Sequence, residues 1–365
     1  MTGRAMVLEA FNQPLVERTF EVAQLQPGEV LVRLEVAGVC GSDVHMWHGN
    51  DPRTPLPMIL GHEGVGVVAA LGGPKQDLFG RELAPGDRVM WERGIMCGQC
   101  YYCVVKQRPA LCLTRRTYGI SLGCAEPPHF NGCYAEHLHL RPRCHMIRID
   151  NDLDPAVLVA ASCSGATAAH AVELSSIGRG DTVLVIGPGP VGLFCLAMAL
   201  DAGAGEVYVA GVSADTGRLD LARQFGAAGT ILVDRLSPEE RLAFIREKTH
   251  GLGANSVIDC TGVARATAEN LPLVAPGGTY SIPGIATPVG EVPIALFEQI
   301  ARKSVTLQGV WVSDTSHLWQ AIRLVLSRRY PFEKLVTHRF PLAQADDALN
   351  VMASKEAIKA VLLPG

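Results

Sequence analysis

The 365-residue sequence has no excess of basic residues: 32 Lys and Arg stand against 36 Asp and Glu, for a net charge of −4. A chain without surplus positive charge is poorly suited to a nucleic-acid backbone or to an anionic membrane surface. Long apolar runs are also missing, because the longest strongly apolar segment, 193–200, is far shorter than the about 20 residues that span a bilayer. We therefore expect no nucleic-acid partner and no membrane span.

The N-terminal segment lacks the pattern of a secretory signal. Only four apolar residues separate Arg4 from Glu9, whereas a signal peptide carries an apolar stretch of about 7–15 residues. The sequence therefore predicts a cytoplasmic protein. Its 11 cysteines cannot all pair into disulfides because their number is odd, and so many cysteines in a reducing compartment indicate metal binding.

The chain is long enough for about two domains, and its pattern changes near residue 150. Before that point, short β-rich segments are broken by Gly and Pro, which predicts an all-β unit with long loops. Beyond it, a helix is predicted over 156–174, followed by alternating strands and helices that predict a parallel sheet covered on both faces. The last apolar strand, 360–363, is a candidate to return to the first domain. The predicted fold class is α/β.

Four cysteines lie close together in a Cys-x-x-Cys-x-x-Cys pattern that is followed by eight residues and a fourth cysteine: Cys97, Cys100, Cys103 and Cys112. This spacing lets four thiolates converge on one Zn²⁺ and leaves no open coordination position, which predicts a structural site. An iron–sulfur cluster of the bacterial ferredoxin type is not indicated, because such a motif has Pro after its last Cys and this chain has Leu113.

A second set of possible metal ligands is dispersed along the chain. Cys40 lies in Val-Cys-Gly-Ser-Asp-Val-His, His62 and Glu63 lie in Gly-His-Glu-Gly-Val-Gly, and Cys163 lies in a stretch of small residues. Two thiolates and an imidazole can hold a catalytic zinc and leave its fourth position open for water or substrate. A single His or Cys is more often structural, so the prediction rests on the whole set.

A glycine-rich motif, Gly-x-Gly-x-x-Gly, is formed by Gly187, Gly189 and Gly192. It follows a predicted strand directly and opens a predicted helix. In that context the glycines permit a tight turn and a close approach of the backbone to a pyrophosphate at the helix N-terminus. The motif therefore predicts a dinucleotide-binding site.

Taken in their order along the chain, these motifs resemble those of the zinc-containing medium-chain dehydrogenases, which include alcohol, polyol and threonine dehydrogenases. Gly61-His62-Glu63 with Gly66 and Gly72 resembles the zinc signature of that family. The resemblance covers essentially the whole chain and implies a GroES-like, β-rich catalytic domain with a Rossmann doubly wound domain. The implied bounds are 1–160 for the catalytic domain with a structural zinc lobe at about 93–115, 161–311 for the nucleotide-binding domain, and 312–365 for a return to the catalytic domain.

The resemblance also implies roles for residues around the metal. The implied ligands of a catalytic zinc are Cys40, His62 and Cys163. Glu63 matches the neighbouring carboxylate that approaches the metal when a ligand leaves, and Asp43 matches the carboxylate that orients the ligand histidine. Ser42 matches the hydroxyl that takes the substrate proton, and His45 matches the histidine that relays it to solvent.

For the cofactor, the resemblance places Thr167 and Val191 beside the nicotinamide, Arg218 near the adenosine ribose and Lys359 at the pyrophosphate. The acid that binds the ribose usually ends the second strand of the fold. Gly211 occupies that position, which leaves room for NADP with Ser213 and Arg218 as donors to its 2′-phosphate. A loop that folds back could instead bring Asp215 to the ribose of NAD. The family's commonest usage slightly favours NAD.

The implied function is a zinc-dependent oxidoreductase that transfers a hydride between NAD or NADP and an alcohol or the matching aldehyde or ketone. Two Zn²⁺ per chain and a homodimer or homotetramer are implied as well. Two alternatives stay open: a zinc-free enoyl or quinone reductase of the same fold, and a zinc-ribbon nucleic-acid binder, which the balanced charge disfavours. Residues that flank these motifs are candidates for the substrate pocket: Trp47, Trp91, Glu92 and Arg93.

Overall fold

A computed structural model describes residues 1–365 and divides into two compact units. The first unit comprises Met1–Cys163, Asp314–Leu326 and Phe332–Gly365, and the second comprises Ser164–Ser313 and Ser327–Pro331.

No single helix has both the length and the apolar composition to cross a membrane. One pair of helices, Pro155–Ser162 and Ser164–Leu174, satisfies those two criteria when taken together, with a bend of 44° between them.

The chain contains eighteen strands and ten α-helices, joined by loops and short 3₁₀ or π-helical segments. The strands are β1 Thr2–Leu8, β2 Val16–Glu21, β3 Val30–Val39, β4 Met58–Ile59, β5 Gly64–Leu71, β6 Arg88–Trp91, β7 Gly94–Ile95, β8 Arg116–Thr117, β9 His137–Leu140, β10 Met146–Arg148, β11 Thr182–Ile186, β12 Glu206–Gly211, β13 Gly229–Leu232, β14 Ala254–Asp259, β15 Val274–Ile282, β16 Thr306–Gly309, β17 Val336–Pro341 and β18 Lys359–Leu363. The helices are α1 Gly41–Trp47, α2 Tyr101–Val104, α3 Pro155–Val159, α4 Ser164–Leu174, α5 Pro190–Ala202, α6 Thr216–Gln224, α7 Pro238–Lys248, α8 Ala264–Asn270, α9 Thr315–Leu326 and α10 Ala345–Ala353.

The first unit is built on a seven-stranded sheet in the order β10-β6-β5-β3-β18-β17, with β9 also paired to β3. The C-terminal strand β18 pairs antiparallel with β3, so that Ala360 lies opposite Val39. A smaller sheet, β2-β1-β4, packs its buried side chains into the same hydrophobic core. This arrangement places the end of β3, where Cys40 follows, beside the start of β18.

The second unit contains a six-stranded parallel sheet in the order β13-β12-β11-β14-β15-β16. The chain order reverses between β11 and β14, and such a switch point is where open α/β sheets bind ligands beyond the carboxyl ends of their strands. Ile186 at the end of β11 pairs with Ala210 on one side and Asp259 on the other. The α/β fold class predicted from the sequence is confirmed.

Helix α5 has the residues at its two ends that helix termini favour. Gly189 caps its N-terminus in an extended conformation, and Pro190 occupies the first helical position, where a missing N–H costs nothing. Gly203 ends the helix with a φ of 104°, a left-handed conformation that favours glycine. The positive end of the helix dipole therefore lies at the glycine-rich motif.

The single helix predicted over 156–174 is wrong, because the chain leaves the helical conformation at Cys163. Helix α3 passes into a 3₁₀ turn, Ala160–Ser162, and α4 begins only after Cys163, whose φ and ψ are −121° and −67°. The Ser162 hydroxyl donates a 2.6 Å hydrogen bond to the Val159 carbonyl. Such a bond competes with regular helical hydrogen bonding, which the apolar pattern of this segment does not reveal.

Candidate functional site

Four potential metal ligands converge in the first unit. Cys40 directly follows β3, His62 and Glu63 lie between β4 and β5, and Cys163 follows the turn Ala160–Ser162. Their ligand atoms all lie within 4.8 Å of one another, and all but Cys40 belong to buried residues. The fold thus brings together three segments that are widely separated in sequence.

The donor atoms of this cluster fit a metal ion. The buried Nε2 atom of His62 has no hydrogen-bond partner, and Nδ1 of the same ring lies 3.3 Å from Oδ1 of Asp43. The interaction between the two thiols raises the pKa of Cys40 well above its usual range and lowers the pKa of Cys163. A cation at this position would give the imidazole a partner and displace the remaining thiol proton, as a zinc site with two Cys and one His requires.

Asp43 connects the cluster of potential ligands to the backbone around it. Its fully buried carboxylate accepts a 2.8 Å hydrogen bond from the Cys40 N–H and a 3.3 Å hydrogen bond from the Gly61 N–H. Because the same carboxylate faces Nδ1 of His62, it holds the ring with Nε2 available to a metal.

Glu63 forms a buried ion pair with Lys359, and their side chains are 0% and 1% exposed. Although burial disfavours a charged ammonium, the Glu63 carboxylate outweighs this effect and raises the pKa of Lys359. Gly38 makes room for the pair, since a Cβ there would lie 2.1 Å from Oε2 of Glu63. The family resemblance implies Lys359 at the pyrophosphate of a cofactor; in the structure its ammonium is buried against Glu63.

Ser42 and His45 lie on α1, the helix that begins after Cys40. The Ser42 hydroxyl is 3.9 Å from the Cys40 sulfur, and His45 is solvent-exposed in the last turn of the helix. Residues three apart share one face of a helix. The helix therefore presents a hydroxyl beside the metal cluster and an imidazole toward solvent on the same face.

The four-cysteine segment folds into a compact lobe in which the ligand sulfurs lie within 4.8 Å of one another. The Cys97 sulfur accepts hydrogen bonds from the Gln99 N–H (3.5 Å) and the Cys100 N–H (3.3 Å). These backbone bonds lower the pKa of Cys97 to about 6. The 3₁₀ turn Pro109–Leu111 then returns Cys112 to the other three cysteines. Backbone hydrogen bonds also lower the pKa of Cys100, and four sulfurs of which two ionise readily fit a closed zinc site.

The glycine-rich motif in the second unit has the shape of a dinucleotide cradle. Gly187 adopts a φ of 94°, and a Cβ on Gly192 would lie only 2.0 Å from the Gly187 carbonyl oxygen, so both positions require glycine. A Cβ on Gly189 would meet nothing within 4 Å, which leaves open space over the helix N-terminus. This is the arrangement that a pyrophosphate needs.

Apart from Lys359, which belongs to the first unit, the residues predicted to bind the cofactor lie in the second unit. Thr167 is half-buried in α4, and Val191 is half-buried in the first turn of α5. Gly211 ends β12, and Ser213 and Arg218 follow it in the loop and in α6.

The residues expected to line a substrate pocket are mostly buried. Trp91, Glu92 and Arg93 are at most 5% exposed, and the Glu92 carboxylate accepts hydrogen bonds from the Gly94 N–H (2.8 Å) and from Nη2 of Arg115 (3.1 Å). Burial disfavours the charged guanidinium of Arg93, but the negative charges of a Cys163 thiolate and of Glu92 outweigh this effect and raise the pKa of Arg93. The half-buried indole of Trp47 instead donates a 2.7 Å hydrogen bond to the Gln13 carbonyl.

Comparison with known proteins agrees with this geometry. The family model "Alcohol dehydrogenase GroES-like domain" matches residues 26–151, and "Zinc-binding dehydrogenase" matches residues 190–327. A curated relative, the 5-exo-hydroxycamphor dehydrogenase of Pseudomonas putida, is 33% identical over 92% of each chain. The chain belongs to the zinc-containing medium-chain dehydrogenase family.

Solved structures of the family are similar to this structure over the whole chain. An alcohol dehydrogenase of Thermotoga maritima matches all of both chains at 45% identity with a TM-score of 0.96. A Sinorhizobium meliloti protein described as a zinc-binding dehydrogenase and bound to NADP matches at 28% identity and a TM-score of 0.85, again over all of both chains. The protein is accordingly an oxidoreductase of the alcohol dehydrogenase type that acts on small molecules with CH–OH groups and uses zinc and a nicotinamide cofactor, which confirms the function predicted from the sequence.

Two features of the site were not predicted from the sequence. Arg115 meets Glu92 beside the metal cluster, and Lys359 meets Glu63 although almost 300 residues separate them. Neither pair has a local signal, because each depends on which strands become neighbours in the folded unit. An exchange of charge between the paired positions in related sequences would be the only sequence signal for such contacts.

Proposed function

We propose that the protein interconverts an alcohol and its carbonyl compound at a zinc ion held by Cys40, His62 and Cys163, with NAD as the cofactor and a second zinc ion in the four-cysteine lobe. The observation that carries this proposal is the buried cluster in which the His62 Nε2 atom has no partner and two thiols lie close enough to share a metal. The test is a screen of alcohols and ketones with NAD and NADP, in which the absorbance of the reduced nicotinamide reports the reaction rate.

The two groups of potential zinc ligands differ in the number and type of their donor atoms, which supports a structural role for one and a catalytic role for the other. The lobe offers four thiolates, whereas the buried cluster offers two thiolates and one imidazole, with Glu63 held back by Lys359. A zinc ion with three protein ligands supplies a Lewis acid that lowers the pKa of an alcohol, and the nicotinamide supplies the hydride acceptor. Glu63 stays close enough to approach the metal, and the Lys359 ammonium limits that approach.

In the proposed proton path, Ser42 accepts the proton of the alcohol hydroxyl and His45 passes it to solvent. Ser42→Ala is expected to lower kcat by about a hundredfold, because it removes a group that moves a proton in the transition state. His45→Ala is expected to lower kcat by about tenfold and to respond to added imidazole buffer, which can replace an exposed proton carrier. Steady-state rates across pH, measured beside zinc content, check both variants.

His48→Ala is the matched control for the relay, because His48 is exposed next to α1 and its ring contacts Asn12, outside the proposed path. It should keep the rate and the pH profile of the wild type. All these variants should retain zinc. A pH–rate profile in His45→Ala that matches the wild type, with no response to buffer, would rule out the relay.

We propose that Arg93 recognises a polar or anionic group of the substrate. A guanidinium beside Cys163 lies next to the proposed metal ligands, where it can donate two parallel hydrogen bonds to a carboxylate. Arg93→Ala is expected to lower kcat/KM for alcohols with a carboxylate by about 10–100-fold relative to neutral alcohols of the same size, the size of effect that losing a charge-assisted contact has. Paired kinetics on both substrate types measure this ratio.

Arg116→Ala serves as the control for Arg93, because Arg116 is exposed in the same lobe and bonds to the Ser121 carbonyl. It should leave the ratio unchanged. If Arg93→Ala changes neither the affinity nor the preference between anionic and neutral alcohols, Arg93 is not a substrate contact.

We further propose that the first unit is the catalytic domain, that the second binds the nucleotide, and that the protein is a cytoplasmic homo-oligomer. All 11 cysteines are free thiols, which suits a reducing compartment. The second unit exposes Leu296 and Phe297 at 70% and 65%, and exposed apolar side chains of this size favour contact with another subunit.

A further inference from the structure

The end of β12 lacks the acid that usually binds the adenosine ribose in this type of fold. Gly211 stands there, and its missing side chain would point into a confined space. A Cβ at this position would lie 3.0 Å from the ring of Pro188 in the glycine-rich motif and 3.3 Å from the Cβ of Asp215. A side chain at position 211 would require Pro188 to shift, and the Asp215 side chain already borders the same space.

The loop after β12 brings Asp215 back to the strand end. Val212 is extended, and the 3₁₀ turn Ser213–Asp215 then reverses the chain before α6 begins. Oδ2 of Asp215 accepts a 3.1 Å hydrogen bond from the Val212 N–H, which fixes the carboxylate against the residue that follows the strand. The loop thus places the Asp215 carboxylate close to the end of β12, four positions after Gly211 in sequence.

The basic residues near this strand end are balanced by acids. Nη1 of Arg218 lies 3.9 Å from Oδ1 of Asp215, and both side chains are less than one-fifth exposed. On the other side of the loop, the Ser213 hydroxyl accepts a 3.1 Å hydrogen bond from Nε of Arg235, and the Ser213 N–H donates to Oδ1 of Asp234 (2.9 Å). Arg218 thus faces the Asp215 carboxylate, and Arg235 and Asp234 both contact Ser213, so the two basic residues stand beside two acidic ones and leave no excess positive charge to compensate a 2′-phosphate.

We propose that Asp215 is the residue that determines cofactor specificity, by accepting hydrogen bonds from the adenosine ribose hydroxyls of NAD and by repelling the 2′-phosphate of NADP. This inference rests on the proposed use of NAD and identifies the group that enforces it. The preference then comes from a loop residue beside Pro188, and the glycine at the strand end provides the space that lets this residue approach.

The test measures dissociation constants for NADH and NADPH by the fluorescence of the bound nicotinamide, with no alcohol present. The wild type is expected to bind NADH at least tenfold more tightly than NADPH. Asp215→Asn keeps an acceptor for the Val212 N–H but removes the charge, and it should reduce this preference to threefold or less, with a gain in NADPH affinity. Asp220→Asn, on the exposed face of the following helix α6, is the matched control and should keep the wild-type ratio.

The possible results distinguish a failure of the role of Asp215 from a failure of the proposed use of NAD. A wild type that prefers NADH, together with an Asp215→Asn variant that keeps the full preference and still melts like the wild type, overturns the role of Asp215 and leaves the use of NAD intact. A wild type that binds NADPH more tightly overturns the use of NAD itself. In that case Arg218→Ala and Arg235→Ala show which guanidinium holds the 2′-phosphate. The variant that lacks this guanidinium should lose affinity for NADPH and keep its affinity for NADH.

Discussion

Cys40→Ala is expected to reduce the zinc content from two ions to one per chain and to lower kcat/KM for an alcohol by about a thousandfold or more, which corresponds to about 4 kcal/mol of transition-state stabilisation. The reason is that Cys40 lies within 4.8 Å of the other ligand atoms in a buried cluster and no further thiol is placed to replace it. Elemental analysis of freshly purified protein and steady-state kinetics with the best alcohol from the screen provide the measurement.

The control for this experiment is Cys133→Ala, which removes a buried thiol of the first unit that belongs to neither metal cluster. It should retain two zinc ions and most of the activity. A wild type that holds a single zinc ion, unchanged by Cys40→Ala, would remove the catalytic metal site from the proposal. A Cys40→Ala protein that is unfolded by circular dichroism would shift the test to Cys163→Ser, which keeps a small polar side chain at a second ligand position.

Cys97→Ala is expected to act on stability. Its thiol receives two backbone hydrogen bonds that hold the sulfur ready to ionise, and the lobe around it has little apolar core of its own, since Val104, Val105 and Leu113 are all more than half exposed. A closed zinc site supplies folding free energy directly. We expect the variant to lose one zinc ion and at least about 3 kcal/mol of stability, which lowers the melting temperature by about 10 °C.

Thermal unfolding followed by circular dichroism, together with metal analysis, checks this second prediction. Cys124→Ala is the control, because Cys124 is also a buried thiol of the first unit but lies outside both clusters. It should keep both zinc ions and melt within a few degrees of the wild type. If Cys97→Ala retained its zinc and its melting temperature, the lobe would be held by packing and not by a metal.

Local spacing in the sequence was sufficient to predict much of this site. The four-cysteine lobe is contained in one short segment, and the glycine motif lies at one strand-to-helix junction, so neighbouring residues in sequence stay neighbours in space. Cys40, His62 and Cys163 were grouped by ligand chemistry, and the family resemblance then gave them their roles, because no spacing rule connects such distant residues. The alternation of strands and helices after residue 150 likewise predicted the parallel sheet, because such strands are buried on both faces and read as short apolar runs.

The break in the helix at Cys163 was missed, because an apolar pattern is the same in a continuous helix and in two helices with a turn between them. The turn depends on a hydrogen bond from the Ser162 hydroxyl to a carbonyl three residues earlier, and a serine alone does not show whether its hydroxyl will bond to solvent or to the backbone.

By itself, the sequence determined the family, the α/β fold class, the two groups of candidate metal ligands and the glycine-rich turn, because these depend on residue type at short range or on motifs in a fixed order. Only the tertiary structure decided that Lys359 pairs with Glu63 and that Asp215 returns to the end of β12. Both contacts follow from strand neighbours and loop paths, and a buried charge takes whichever partner the fold brings within reach, since leaving it without one costs several kcal/mol.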